Sequence, residues 1–277
     1  LLTMAFAAYV AVFRHDLKGL LAYSTISHLG LIVFLIGLDA PLAEVAAVFH
    51  ILNHATFKAA LFMTAGIIDH ETGTRDMRRL GGLLKFMPWT ATLAMVAAAS
   101  MAGVPLFNGF LSKEMFFTEA VAGQANFAFG VLVPVAATLG GIFSMAYSLR
   151  FIHDVFFNGP PADLPNPHPH EPPLLMKAPV GLLVVLCLVV GLLPAMTYGP
   201  MVHLAATAVL GAPPPAYTLS IWHGFNLPLL MSVVALVGGV AMYWALQRRF
   251  NLHLHHPRGL TGRLLFTHAV DGLFALA

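Results

Sequence analysis

The chain has 277 residues, of which 58% are hydrophobic and only 9% charged, against about 25% charged in an ordinary soluble domain. With a mean hydropathy of +0.81 and apolar residues gathered in runs of about 20, the length that crosses a ~30 Å hydrocarbon core, it is excluded from the soluble globular class. The net charge of +2 rests on basic residues that read as topology signals rather than as a nucleic-acid surface, and the single cysteine, Cys187, excludes an internal disulfide framework.

Apolar runs bounded by charge, Gly or Pro predict seven membrane spans, at 1–13, 20–38, 43–68, 88–121, 127–152, 174–197 and 226–247. The first opens at Leu1 with no initiator Met and no cleavage signal, so it reads as a helix cut midway rather than a signal peptide; the last residues also stop inside an apolar stretch.

Lysine and arginine occupy every second connection. Arg14 and Lys18 lie in the first, Arg75, Arg78, Arg79 and Lys85 in the third, Arg150 and Lys177 bracket the fifth, and Arg248, Arg249, Arg258 and Arg263 fall in the tail. The second, fourth and sixth connections, the last taken as 199–225, contain neither residue. The positive-inside pattern therefore predicts cytoplasmic loops at 14–18, 69–87, 150–177 and 248–263 of a multi-pass protein in a prokaryotic plasma membrane.

Lys58 and Lys113 are the two basic residues left over, and both fall inside spans. An ammonium at bilayer depth costs about 2.5–3.5 kcal/mol on insertion scales and is normally met facing a bundle interior or hydrated path. In VFHILNHATFKAALF, His50, His54 and Lys58 recur at i, i+4 and i+8, a polar stripe climbing ~12 Å along one helix face with neighbours ~6 Å apart. Bridging waters would let a proton move along it. A two-histidine metal site at His50 and His54 is the rival chemistry, but no third ligand follows, and no metal or other cofactor is implied.

The fourth span contains 34 residues, ~51 Å as an unbroken helix, so it is predicted to break at GVPLFNGF, where Gly103, Pro105, Asn108 and Gly109 disfavour helix. Transporters place ion sites at such breaks. Lys113 and Glu114 follow directly, ~100° apart around the helix: Lys113 is expected to address an ion path and Glu114 another helix or subunit, the alternative being a helix-end pair snorkelling to the surface. His28, in AYSTISHLGL, has Ser24, Thr25 and Ser27 nearby and reads equally as part of a path or as a satisfied core histidine.

The proline-rich segment NGPPADLPNPHPHEPP reads as an ordinary connector, and its His168 and His170, like His253, His255 and His256 in the tail, form no ligand cluster with metal spacing. Asp69, His70, Glu71, Arg75 and Asp76 read as a solvated mixed-charge loop.

The strings DLKGLLAYSTISHLGLI, FHILNHATFKAALF and GVPLFNGFLSKEMFF, in that order, resemble the antiporter-like subunits shared by respiratory complex I and the multisubunit Mrp-type cation/proton antiporters. DHETGTRDMRRLGGL and HEPPLLMKAPVGLL are most similar to the large A subunit of the Mrp-type Na+/H+ antiporter; the complex I counterpart usually has Asp where this chain has Glu114. The resemblance implies an all-α polytopic membrane helix bundle with a discontinuous transmembrane helix. Residues 1–200 would be the C-terminal half of an inverted-repeat antiporter-like core, and 201–277 a further transmembrane helix and cytoplasmic tail. It also implies that the essential lysine of the broken helix matches Lys113, and that the proton-handling series of the preceding helix matches His50, His54 and Lys58. The first repeat, with its glutamate–lysine pair, would lie before Leu1.

The expected function is therefore exchange of Na+ (or K+) for H+ by one member of an antiporter complex, working with the other subunits in the lipid bilayer as a secondary transporter rather than an enzyme. Lys113, Lys58, His54, His50, Glu114 and His28 are the expected translocation residues. The alternative is a proton-pumping member of a complex I type oxidoreductase or membrane-bound hydrogenase. An intramembrane metalloenzyme is the third reading.

Overall fold

The computed structural model describes residues 1–122 and 127–250. These form ten α-helices: α1 (Leu2–Val12), α2 (Leu17–Ile36), α3 (Pro41–Thr72), α4 (Pro88–Ala102), α5 (Asn108–Val121), α6 (Phe127–Phe156), α7 (Leu174–Leu192), α8 (Pro194–Thr197), α9 (Gly199–Leu210) and α10 (Leu227–Phe250). Five stretches, Leu17–Ile36, Pro41–Thr72, Gly130–Phe156, Leu174–Leu192 and Leu227–Arg249, are long and apolar enough to cross a membrane. Large apolar side chains such as Val33, Leu182 and Leu230 are exposed on the outside of the bundle while serines, histidines and lysines are buried inside it, the reverse of a soluble domain and the arrangement that a lipid solvent favours.

The predicted break is present. α4 ends at Gly103, whose φ of +85° suits a left-handed cap, and α5 restarts at Asn108. Leu106, inside the break, also takes a positive φ of 74°, a strained conformation for a branched side chain. The two half-helices and α7 approach closely here: a Cβ on Gly109 would collide with the Ser100 carbonyl oxygen, and one on Gly191 with that of Leu106.

α3 packs centrally, against α2, α4, α5, α7 and α9. Its 32 residues would extend ~48 Å, more than the hydrocarbon core requires, so Asp69, His70 and Glu71 belong to its last turns. Glu71 is 3% exposed, which corrects its reading as part of a solvated loop. It meets His170 at 3.2 Å and His70 at 3.1 Å.

The segment 157–173 is more than a connector. The Ala162 amide donates to the Arg79 carbonyl at 2.9 Å, Asn166 Nδ2 donates to the Glu71 carbonyl at 2.6 Å, and the Glu171 carboxylate accepts from the Trp89 and Thr90 amides at 2.9 and 3.1 Å. Glu171 thus satisfies orphan amides at the α4 N-terminus from another part of the chain. In the loop before α4, Arg78 bonds Asp76 and holds that carboxyl below the usual carboxylate range. What this exposed pair contributes is present at neutral pH and is lost as pH falls through the lowered value.

Two further differences concern the ends of spans. The connection 199–225 contains a helix not predicted from the sequence, α9, over Gly199–Leu210. Arg150, expected at a loop boundary, is fully buried inside α6. Its guanidinium bonds the Val12 carbonyl at the end of α1, His15 Nδ1 at 3.0 Å and Asp154 at 3.0 Å. Asp154 also accepts from Tyr243 and Gln247 of α10 at 3.0 and 2.9 Å. The tail residues His253, His255, His256, Arg258 and Arg263 lie outside the described residues.

Arg150→Met, which removes one partner of a buried charge pair, is expected to destabilise the assembled protein by about 3–5 kcal/mol, read as a lower thermal midpoint in detergent. Gly109→Ala is expected to cost about 1–3 kcal/mol through overpacking of the break in the same assay.

Candidate functional site

The site is built where the broken helix meets α2, α3 and α6. Lys113, in the second turn of α5, is 7% exposed and reaches back across the break. Its Nζ donates to the carbonyls of Met101 and Ala102, at 2.8 and 2.9 Å, and to Ser144 Oγ of α6 at 2.7 Å. All three ammonium protons are thereby used. The two carbonyls belong to the last turn of α4, the negative end of its dipole, which is a favourable place for a cation. Gly103 leaves the necessary room, since a Cβ there would lie 2.8 Å from Lys113 Cδ. This geometry is incompatible with a lysine snorkelling to the surface.

From Lys113 a continuous hydrogen-bonded file crosses three further helices. The Tyr147 hydroxyl donates to Ser144 Oγ at 3.0 Å and meets His28 Nε2 at 3.2 Å. His28 Nδ1 lies 2.9 Å from His50 Nε2, and His50 Nδ1 lies 3.0 Å from Ser112 Oγ. Ser144, Tyr147, His28, His50 and Ser112 are all buried. A cavity of about 20 Å³, lined by His28, Lys113, Ser144 and Tyr147 on its polar side, lies against the file and has room for about one water molecule.

The three groups of the α3 stripe have different neighbours. His50 is joined to His28 of α2, not to His54. The His54 ring centroid is 6.1 Å from that of His50 and 5.1 Å from that of His28, and its buried Nε2 has no hydrogen-bond partner among the described residues. Lys58 lies further along α3, 5% exposed, where its Nζ donates to Ser24 Oγ and, at 3.2 Å, to the Leu21 carbonyl of α2. Glu114 is buried but turned away from the file, with Oε2 3.6 Å from His223 Nδ1. Both ring nitrogens of His50 are engaged in the file, which leaves neither lone pair directed at a shared metal with His54.

Sequence reasoning overlooked Ser112, Ser144 and Tyr147. The signal was faint: SMAYSLR places two serines and a tyrosine inside the sixth helix at i, i+3 and i+4, a spacing that puts them on one face. Ser144 and Tyr147 turn that face towards α2 and α5.

An interrupted transmembrane helix beside a buried file of ionisable and hydroxyl groups defines an integral membrane helix bundle with a polar interior. A model of the family described as "NADH:quinone oxidoreductase/Mrp antiporter, TM" matches residues 1–140, and the chain belongs to that family. It is 60% identical over 269 residues to the A/B subunit of a probable K(+)/H(+) antiporter of Rhizobium meliloti (strain 1021), covering 96% of this chain and 27% of that one. It is 37% identical over 287 residues to the A subunit of the Na(+)/H(+) antiporter of Bacillus subtilis (strain 168), covering 96% and 36%. Among solved structures, the Mrp complex from Dietzia sp. DQ12-45-1b superposes with a TM-score of 0.81 at 36% identity, over 99% of this chain and 30% of that chain. Respiratory complex I from Thermus thermophilus shares the fold, with a TM-score of 0.63 at 23% identity over 74% of this chain and 42% of that one. The chain thus spans about a third of the length of the curated relatives it matches.

Tyr147→Phe keeps the ring and removes the hydroxyl that links Ser144 to His28. The expected outcome is an unchanged amount of assembled protein with proton transfer slowed by about 10²-fold, measured as proton flux into vesicles.

Proposed function

We propose that this chain is part of one member of a multisubunit antiporter that exchanges a monovalent cation, Na+ or K+, for H+, and that the file from Lys113 to Ser112 carries the proton. The observation that supports this most directly is the unbroken series Lys113–Ser144–Tyr147–His28–His50–Ser112 inside a membrane bundle. Membership of the family and the printed names of the relatives support the antiport reading over an enzymatic one. The cation is left as a pair because the 60% identical relative is named for K(+) and the 37% identical one for Na(+).

In one direction the transfer is a set of single-bond steps. Lys113 gives a proton to Ser144 Oγ, Ser144 passes its own to Tyr147, and Tyr147 protonates His28 Nε2. His28 then releases its Nδ1 proton to His50 Nε2, and the His50 ring is held as an imidazolium whose Nδ1–H donates to Ser112 Oγ, itself a donor to the Gly109 carbonyl. The hydrogen bonds between Lys113 and His50 reverse polarity, and the positive charge passes from Lys113 to His50. Lys113 and Tyr147 both donate to Ser144 Oγ, which itself donates to the Met101 carbonyl at 3.3 Å, so the transfer starts with rotation of the Ser144 and Tyr147 hydroxyls. His54 and Lys58, beside His28 and on Ser24 respectively, form the neighbouring branch whose charge biases the next transfer. We assign the loops carrying Arg and Lys to the cytoplasmic face of a bacterial plasma membrane on the positive-inside argument.

The test is a pH-dye measurement in inverted vesicles containing the full complex, comparing addition of Na+ with addition of K+ and wild type with Lys113→Ala. The expected result is a cation-triggered pH change that Lys113→Ala abolishes without reducing the amount of complex. A wild-type complex that gives no cation response, but moves protons during electron transfer by partner subunits, would replace the antiporter with a redox-driven pump.

A further inference from the structure

Glu114 has no place in the lysine–histidine file, and its surroundings are peculiar. The carboxylate is 4% exposed, and its Oε2 has no hydrogen-bond partner among the described residues. Leaving a buried carboxylate oxygen without a donor is costly in an apolar medium, so the position calls for a proton. The titratable group that faces it is His223, from the connection between α9 and α10, whose Nδ1 stands 3.6 Å from that oxygen. Lys113, adjacent on α5, is turned to α4 and α6.

The orientation of His223 adds a second constraint. Its Nε2 lies 3.0 Å from Ser220 Oγ, and that hydroxyl donates to the Trp222 carbonyl at 3.3 Å. Ser220 Oγ therefore accepts from Nε2–H, and in the neutral imidazole Nδ1 is then a bare lone pair. A bare nitrogen facing a bare carboxylate oxygen is repulsive unless one proton lies between them, either on Glu114 or on the ring. His223 is 32% exposed, and a cavity of about 10 Å³ bordered by Ser220, His223, Leu111 and Phe49 adjoins the pair. The α9–α10 connection is on the side of the bundle opposite the Arg and Lys loops, because the far end of α10 meets Asp154 near the other end of α6.

We infer that Glu114 and His223 share one exchangeable proton, which His223 exchanges with water on the side opposite the basic loops, and that the pair is a second proton branch beside the lysine–histidine file. The step is balanced within the pair: the O–H bond of Glu114 breaks as the Nδ1–H bond of His223 forms, and Nε2 releases its proton to water past Ser220. α5 thus carries two proton-handling groups facing opposite ways, Lys113 inward to the file and Glu114 outward to an exposed imidazole. This rests on the proton-transport reading above.

Chemical rescue tests it in vesicles containing the full complex. His223→Ala is expected to slow cation-triggered proton movement at least about tenfold, and millimolar imidazole added on the His223 side is expected to restore it. His223→Gln, which keeps a hydrogen-bonding side chain that cannot titrate, is expected to be equally slow and carries the test if the alanine variant fails to assemble. Wild-type rates in either variant, or a loss in His223→Ala that imidazole does not restore, would overturn the inference alone. A wild-type complex with no cation response would instead overturn the antiport reading on which it rests.

Discussion

The placement of one ammonium group governs the rest of the architecture. Lys113 sits where an isolated charge would be costly, and it is held there because the last turn of α4 offers two free carbonyls and α6 offers a hydroxyl. Those carbonyls are free only because the helix stops. The break, the left-handed Gly103 that ends α4, and the lysine one turn into α5 are one device: interruption supplies the acceptors, and the cation makes the interruption tolerable in a membrane.

From that anchor the polar interior extends sideways, from α5 to α6, α2 and α3 and back to α5 at Ser112. Its links join different helices through short bonds, so the file constrains their relative heights. The Arg150–Asp154 cluster plays a purely fastening part nearer the basic loops, joining α1, α6 and α10 through a guanidinium that is entirely buried. The two clusters differ in what opposes each cation. Arg150 is tied to a carboxylate, whereas Lys113 is tied to two carbonyls and a hydroxyl, all neutral oxygens.

Much of this was legible in the amino-acid order. The interruption of the fourth span followed from its length and from Gly103, Pro105 and Gly109, and the helices fall within a few residues of the apolar runs. Lys58 and Lys113 stood out because a basic residue within an apolar run has few innocuous explanations. The errors have a common cause. Local composition makes Arg150, Glu71 and segment 158–173 look like boundary or solvent features, but each is buried or packed by a remote part of the chain that local composition does not report.

The spacing of charge, proline and apolar residues determined the class of solvent this chain folds in, the approximate ends of its long helices, the broken span, and which helices bear ionisable groups. These are local properties, set by helix rise, bilayer thickness and backbone sterics. Which of those groups touch was decided by tertiary structure. The i, i+4 stripe on α3 suggested His50 to His54, but a helix places such neighbours about 6 Å apart, while packing brought His28 of α2 within 2.9 Å of His50. Hydrogen bonds act over about 3 Å, so which groups are joined depends on how α2, α5 and α6 are pressed against α3, information that no single helix carries.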